Sequence, residues 1–288
     1  MYLIKINTAA HALLTGDTPV KNYDRRGVLH TVGIQPLDVL PLPPVELLTL
    51  DVCISLYNAG YREFDAFDVL GACCGGVRVK PSKVSMKQVN EVNIAIMHLR
   101  NINVYIDNST APLIDVVAAG CKMYGLRGDN DNSAVPRWRF VNGTPLLLEN
   151  AKQLSGVVAY PVELMALGDT CGLNSAYIKK YLLDRIFTSN AQKATRCQKR
   201  TGGNVVRFST IKKISGCATR RATQRARYRV RKLLDAFVTC DGVPLLHYYT
   251  IDAGTARERY VLLFGYRTLY PRLIDKYGNL LRLVDKNL

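Results

Sequence analysis

The sequence predicts an α+β protein, and three observations lead to this fold class. Apolar residues recur every three or four positions over several segments, the spacing that places them on one side of an α-helix. Shorter runs rich in β-branched and aromatic residues alternate with these segments and are bounded by Gly, Pro, Asn and Asp, as strands are. At 288 residues with 48% hydrophobic content, the chain can bury two modest cores, so we expect two domains.

Basic charge is concentrated in one stretch of the chain. Residues 185–234 contain fifteen Lys or Arg and no Asp or Glu, and the rest of the chain holds 24 basic against 23 acidic residues. Such a stretch raises a strong positive potential, whose commonest partner is a nucleic-acid backbone. A solvated face or a disordered arm is the alternative. An apolar stripe inside the stretch disfavours that alternative, since a disordered arm does not need one: Ala222, Ala226, Val230, Leu233 and Phe237.

The elements predicted around this stripe form an ordered series. They are a helix at 173–189, a short strand at 205–208, a short helix at 209–215, the basic helix, and two strands at 244–251 and 259–266. The last two runs flank Asp252, Ala253, Gly254 and Thr255, which is a β-hairpin signal. Helix, strand, helix, turn, basic helix and hairpin make a winged helix, a variant of the helix-turn-helix. We therefore predict a strongly basic winged-helix domain over residues 151–288.

A recognition helix lies in the major groove of duplex DNA with its N-terminal residues nearest the base edges. Arg suits guanine and Gln suits adenine, so base contacts are predicted for Arg220, Arg221, Gln224 and Arg225. Arg227 shares their side of the helix, and backbone contacts are predicted further along for Tyr228, Arg231 and Lys232. Phosphate contacts are predicted for Lys193, Arg196, Lys199, Arg200, Arg207, Lys212 and Lys213. At the hairpin tip, Arg257 and Arg259 are candidates to enter a minor groove.

The first half of the chain predicts a second domain of the same architecture, at residues 45–125. Strongly apolar helical segments at 45–61 and 67–72 precede a helix that begins with Ser85 and Gln88 at capping-box spacing. The buried stripe of that helix is predicted to be Val89, Val92, Ile96 and Leu99, with a strand following at 103–107. Tandem winged helices are thus the predicted architecture. Residues 1–44 are an N-terminal arm or a small strand-bearing segment, and 126–150 are a linker or an extended wing.

The first domain differs from the second in its charge. Residues 45–107 hold six basic and seven acidic residues, which does not predict a phosphate-binding surface. Three roles stay open: dimerisation or another partner contact, a plain scaffold, or auxiliary DNA contact through Lys83, Lys87, Gln88, Asn90 and Asn93.

The sequence contains little that points to catalysis, so we expect no enzyme activity and no cofactor. The four histidines stand apart, and no Gly-rich phosphate loop is present. A tyrosine recombinase is the enzyme class left open, with His247, Arg257, Arg259, Tyr266 and Tyr270 as its candidate residues. Hairpin tyrosines are more often cross-strand packing residues.

The eight cysteines include no CxxC, so we expect reduced core thiols and no metal site. No apolar run is long enough to span a membrane, and a cytoplasmic location is expected.

Two stretches carry a resemblance to a known family. Residues 50–107 end in the string NINVYID, and residues 181–186, with the string YLLDRI, precede the basic helix. In this arrangement the chain resembles the replication initiator proteins of plasmids and related mobile elements. The resemblance implies binding to directly repeated origin sites, repression of the protein's own promoter, and recruitment of host replication proteins. It also implies that the carboxyl-terminal unit supplies the base-specific contacts and the other unit assists in homodimer formation and backbone contact. A winged-helix transcriptional regulator is the alternative, because it needs the same groove-reading surface.

Overall fold

The computed structural model describes residues 1–6, 19–24, 26–128, 131–141, 143–154, 157–168, 173–191, 205–215, 220–238, 242–246, 248–254 and 259–264. Seven α-helices and twelve β-strands lie in these ranges. This composition confirms the predicted α+β class. The chain forms two compact units, one of Met1–Val157 with Pro161–Glu163 and one of Val158–Tyr160 with Leu164–Leu288.

The first unit is built around helix α1, Pro44–Asn58, which starts with Pro at a position that needs no backbone N–H. Ten of its residues between 46 and 56 are buried, so the helix is a central core element. Gly60 follows its end with φ +90°, a conformation that glycine adopts readily. Strand β1, Tyr2–Ile6, packs on α1, and the Ile4 N–H donates to Ser55 Oγ at 2.8 Å. The start of the N-terminal arm therefore belongs to this core.

Two further helices of the first unit begin at capping boxes. Strand β4, Glu63–Asp65, leads into α2, Ala66–Cys73, where Asp65 accepts from the Phe67 N–H and Asp68 accepts from the Asp65 N–H, both at 2.9 Å. Helix α3, Met86–Arg100, begins after Ser85, whose N–H donates to Gln88 Oε1 at 3.1 Å. The predicted capping box of α3 is confirmed, as is its buried stripe of Val89, Val92, Ile96 and Leu99.

Two antiparallel sheets complete most of the first unit. Strands β2, Val20–Tyr23, β3, Leu29–Gln35, β5, Asn103–Ile106, and β6, Ser109–Pro112, pair in the order β2-β3-β5-β6. Strands β7, Val116–Gly125, and β8, Asn132–Phe140, join β4 in the order β4-β8-β7, with a register shift in β7 between Ala118 and Cys121. Residues 126–150, expected to be a linker or an extended wing, thus include β8 and the start of helix α4, Leu146–Gln153. Strand β9, Val157–Pro161, follows.

The second unit contains the elements that the sequence predicts, in the predicted order. They are α5, Leu173–Ala191, β10, Val205–Arg207, α6, Phe208–Ser215, α7, Arg220–Ala236, β11, Tyr248–Gly254, and β12, Arg259–Phe264. The strands pair antiparallel in the order β10-β12-β11, and β11 has a register shift between Thr250 and Ala253. Strand β11 begins later than predicted, because Pro244 forms only an isolated bridge with Val238.

The core of the second unit includes charged groups of α5. Lys179 and Lys180 are each only 2% exposed. Lys180 donates to Asp184 Oδ2 at 2.9 Å, and the Tyr160 hydroxyl donates to Asp184 Oδ1 at 3.1 Å. Lys179 donates to the Met165 carbonyl at 3.1 Å. These bonds let α5 carry two cations inside an otherwise apolar core, because buried charges need hydrogen-bonded partners.

The cysteines depart in one place from the expected reduced thiols. Cys53 and Cys73 are buried reduced thiols, as expected, whereas Cys121 is an exposed thiol and Cys74 is disulfide-bonded. The prediction was wrong at Cys74 because it rested on local spacing, and disulfide partners need not be close in sequence.

Candidate nucleic-acid interface

Helix α7 has one apolar side and one polar side, as its sequence period predicts. Ala226, Val230, Leu233 and Phe237 are buried. The opposite side, which we call the α7 face, consists of exposed side chains: Gln224, Arg225, Tyr228, Arg231 and Lys232. The apolar side anchors the helix in the core, and the α7 face is presented to solvent.

The second unit holds α7 closely. Gly168 has φ +79°, and a Cβ there would lie 3.0 Å from Leu233 Cδ2 and 3.1 Å from Ala236 Cβ. The guanidinium of Arg227 lies over the Phe208 ring of α6, with its Cζ 5.7 Å from the ring centroid. These contacts fix the helix on one side against residue 168 and on the other against α6.

The first acidic residue after the basic stretch is used within the fold. Asp235, at the end of α7, accepts a hydrogen bond from the Tyr249 hydroxyl of β11. Burial and this bond raise the pKa of Tyr249 to about 12. The phenol therefore stays protonated at neutral pH and links the end of α7 to the hairpin.

A cleft lies between α7 and β11. It has a volume of about 260 Å³ and is lined by Gln224, Arg227, Tyr228, Arg231 and Ile251. Four of these five residues were predicted from sequence as DNA contacts. Ile251 was missed, because nothing in the sequence shows that this strand residue lies beside α7.

The other predicted contact residues fall into three groups. Arg207 on β10 and Lys212 on α6 are exposed, as a phosphate contact requires. Lys213, Arg220, Arg221 and Arg259 lie on described helices and strands, but their side chains lie outside the described part. Lys193, Arg196, Lys199, Arg200 and Arg257 lie outside the described residues altogether.

The first unit holds a basic surface that sequence counting missed. Its members, which we call the first-unit patch, are exposed side chains from the turn before α3, the first turn of α3, β7 and the start of the β7–β8 loop: Lys80, Lys83, Lys87, Lys122 and Arg127. The Arg127 N–H donates to the Val84 carbonyl at 2.9 Å, which brings the loop to the turn that carries Lys83. None of the five forms an ion pair with a residue that the structure describes.

Acidic residues that balance these cations in the sequence are engaged elsewhere in the unit. Arg78 contacts Asp68 Oδ1 at 2.6 Å and Asp65 Oδ2 at 2.7 Å, and the Tyr124 hydroxyl donates to Asp65 at 3.1 Å. Burial opposes the charge of Arg78, but its bonds to the two aspartates outweigh burial and raise its pKa. Burial raises the pKa of Asp68. In the same way Glu63 pairs with Arg137, Glu46 with His98 and Asp107 with His30.

One residue proposed as a groove contact in the first unit is not available for it. Asn93 is buried and its Oδ1 accepts from Trp138 Nε1 at 3.0 Å, which ties α3 to β8. The prediction of a groove contact at Asn93 was wrong, because the helical period alone places this position near the edge of the buried stripe. Lys87 and Asn90 are exposed, together with Ile94 and Met97.

The described residues include neither a candidate metal site nor a helix that could span a membrane. No group of three or more His, Cys, Asp or Glu residues stands close enough there to hold a metal ion. Among the described helices, none has both the length and the apolar character needed to cross a bilayer. Of the recombinase candidates, His247, Arg257, Tyr266 and Tyr270 lie outside the described residues.

Comparison of the chain with protein-family models, curated proteins and solved structures gives no match. The α7 face and the first-unit patch are therefore the features of the molecule that point to a function.

Proposed function

We propose that the chain is a sequence-specific double-stranded DNA-binding protein built from two winged helices, and that α7 enters the major groove. The observation that carries this proposal is the α7 face, which presents Arg225, Arg231 and Lys232 to solvent while the other side of the helix is buried. A helix of this kind fits the major groove of B-DNA, and Arg and Gln read base edges there.

The sheet beside α7 supports the winged-helix assignment. Strands β11 and β12 follow three helices in the chain, and β11 contacts α7 through Tyr249 and Ile251, which agrees with the order of elements in that motif. The first unit has a matching series, α1, β4, α2, α3, β7 and β8, with strand order β4-β8-β7. Hairpin β5–β6 is inserted before its last two strands.

The first-unit patch is expected to make some of the phosphate contacts in the complex with DNA. Lys80, Lys83 and Lys87 stand just before or in the first turn of α3, where the helix dipole adds to the attraction for a phosphate. Because none of its five cations is paired with a described carboxylate, their charge is available to DNA.

Substitutions that separate base reading from phosphate binding test this proposal. Arg221→Ala or Gln224→Ala is expected to cost about 1 to 3 kcal/mol of binding free energy on the preferred site and to flatten the preference among sites. Lys212→Ala, the matched control on α6, is expected to weaken preferred and random duplexes alike. Equal losses on both duplexes for all three variants would contradict the assignment of α7 as the recognition helix.

Within this class we propose a replication initiator of a plasmid or mobile element. This proposal is based on the resemblance in element order and on the division of charge between the units. The strongly basic second unit suits base-specific contacts, and the first unit suits assistance in dimerisation and backbone contact. The gene with its flanking DNA is expected to let an otherwise inert circle replicate in a suitable host, and Arg220→Ala combined with Arg221→Ala is expected to abolish this. Replication without the gene would contradict the initiator role. Promoter repression without replication would assign the protein to the transcriptional regulators.

A further inference from the structure

The cleft between α7 and β11 combines side chains that duplex recognition alone does not require. Tyr228 leaves 70% of its surface exposed at the centre of the α7 face. In a duplex the bases are stacked and present only their edges in the grooves, so the face of a tyrosine ring has no base face to contact. An unpaired base does present its face, and stacking on an aromatic ring is a general way to hold single strands.

The other lining residues complete a site for one nucleotide. Ile251 of β11 offers an apolar group across the cleft from the helix, and Arg227 and Arg231 bring two guanidinium groups to the same cleft. These two arginines are four positions apart, so their attachment points are about 6 Å apart along the helix. The cleft thus has apolar surface for a base and cations for the phosphates on either side of it.

One side of the cleft is fixed. The Tyr249 hydroxyl bonds Asp235 and so holds β11 to the end of α7, next to Arg231. Arg227 is held over the Phe208 ring. Strand β11 is therefore held to α7, and a bound base need not bring these two elements together.

We propose that this cleft binds an unpaired nucleotide of single-stranded DNA, with its base on Tyr228 and Ile251 and its phosphates on Arg227 and Arg231. The proposal rests on the proposed function, since it takes α7 to be the DNA surface, and it adds a second form of DNA to that surface. Because the same side chains line the side of α7 that faces the major groove, single strand and duplex bind in competition.

Binding of a labelled thymidine oligonucleotide of about 10 nucleotides to the full chain tests the proposal, since single-strand sites span roughly this length. Tyr228→Ala is expected to lower its affinity about 5- to 150-fold through lost stacking, whereas Tyr228→Phe, which keeps the ring, is expected to retain it. Tyr23→Ala is the matched control, because Tyr23 is 69% exposed in the first unit, and it is expected to leave the affinity unchanged. Ile251→Ala is expected to weaken binding less than Tyr228→Ala does.

Competition completes the experiment. An unlabelled preferred duplex is expected to displace the oligonucleotide. The proposal is overturned if the chain does not bind the oligonucleotide, if Tyr228→Ala behaves like Tyr23→Ala, or if the duplex does not displace the strand. Duplex binding with the Arg221 and Lys212 variants is measured separately, so a failure of the proposed function is told apart from a failure at the cleft.

Discussion

The two units share an order of elements and differ in how they use charge. Each has a helix, a short strand, two helices and a final strand pair, and each has a three-stranded sheet with its last strand in the middle. In both, the second strand of the sheet has a register shift. The first unit pairs buried acids with partly exposed partners, as in the contacts of Asp65 and Asp68 with Arg78, whose side chain is 39% exposed. The second unit has its described ion pair in the core, between Lys180 and Asp184, and leaves α7 without an acid before Asp235.

This difference shows that a count of charges is a poor measure of a binding surface. Residues 45–107 are close to neutral, yet five of their seven acids are engaged by partners in the unit, and Lys80, Lys83 and Lys87 of the first-unit patch remain exposed. In the second unit the sequence count and the surface agree, because the basic stretch contains no acid to pair with.

Among the substitutions that compare the two units, the largest loss of stability is expected when the buried ion pair between Lys180 and Asp184 in the second unit is broken. Asp184→Ala leaves Lys180 charged in the core and is expected to cost about 3 to 5 kcal/mol of unfolding free energy in urea. The double variant Lys180→Met with Asp184→Leu is expected to recover most of this loss, because an apolar pair needs no solvation.

The corresponding change in the first unit is Asp68→Ala. It is expected to cost less than Asp184→Ala, since Arg78 keeps Asp65 as a partner and exposes 39% of its side chain to water. Equal losses of unfolding free energy in Asp68→Ala and Asp184→Ala would show that the two units depend on their ion pairs to the same extent.

A smaller effect is expected from the first-unit patch. Lys83→Ala combined with Arg127→Ala is expected to lower the magnitude of the salt slope of duplex binding by roughly 2, without changing preference among sites. Arg62→Ala is a suitable control, because Arg62 is an exposed cation of the first unit that does not belong to the first-unit patch. An unchanged slope in the double variant would assign the patch a role other than phosphate contact.

The smallest effect is expected in the pH dependence of stability, through the hydrogen-bonded pair of His30 and Asp107 at the four-stranded sheet of the first unit. The hydrogen bond from His30 Nδ1 to Asp107 at 2.7 Å raises the pKa of His30 above its usual 6.5. Since the folded pKa is raised, the stabilisation is fully present below pH 6.5 and is lost as the pH rises through the folded pKa. An NMR titration is expected to give His30 a pKa above 6.5, and Asp107→Asn is expected to bring it back toward that value. A His30 pKa that Asp107→Asn does not move would contradict the assignment.

Local patterns made much of the fold predictable. The stripes of α3 and α7 and the capping box at Ser85 depend on residues within a few positions of one another, so sequence spacing is enough to place them. The pairing of β8 with β4 joins residues more than seventy positions apart, and the bond from Trp138 to Asn93 joins two elements, so neither follows from spacing.

The candidate site divides in the same way. Sequence period predicted the α7 face, because exposure on a helix follows from its buried stripe. Ile251 in the cleft could not be predicted, because it depends on which strand lies beside the helix. Of the first-unit patch only Lys83 and Lys87 were named from sequence, since the rest depends on which acids are already paired and on which loop lies beside α3.

The salt dependence of duplex binding by the full chain shows whether the basic stretch of the second unit is the main duplex-binding surface. With seven or more phosphate contacts from this stretch, the logarithm of the affinity is expected to fall against the logarithm of salt with a slope of roughly −6 or steeper. Arg231→Ala combined with Lys232→Ala, two predicted backbone contacts on the α7 face, is expected to reduce that slope by about 2. A slope near −2 for the unchanged chain, by the same relation about two contacts, would contradict this role of the basic stretch.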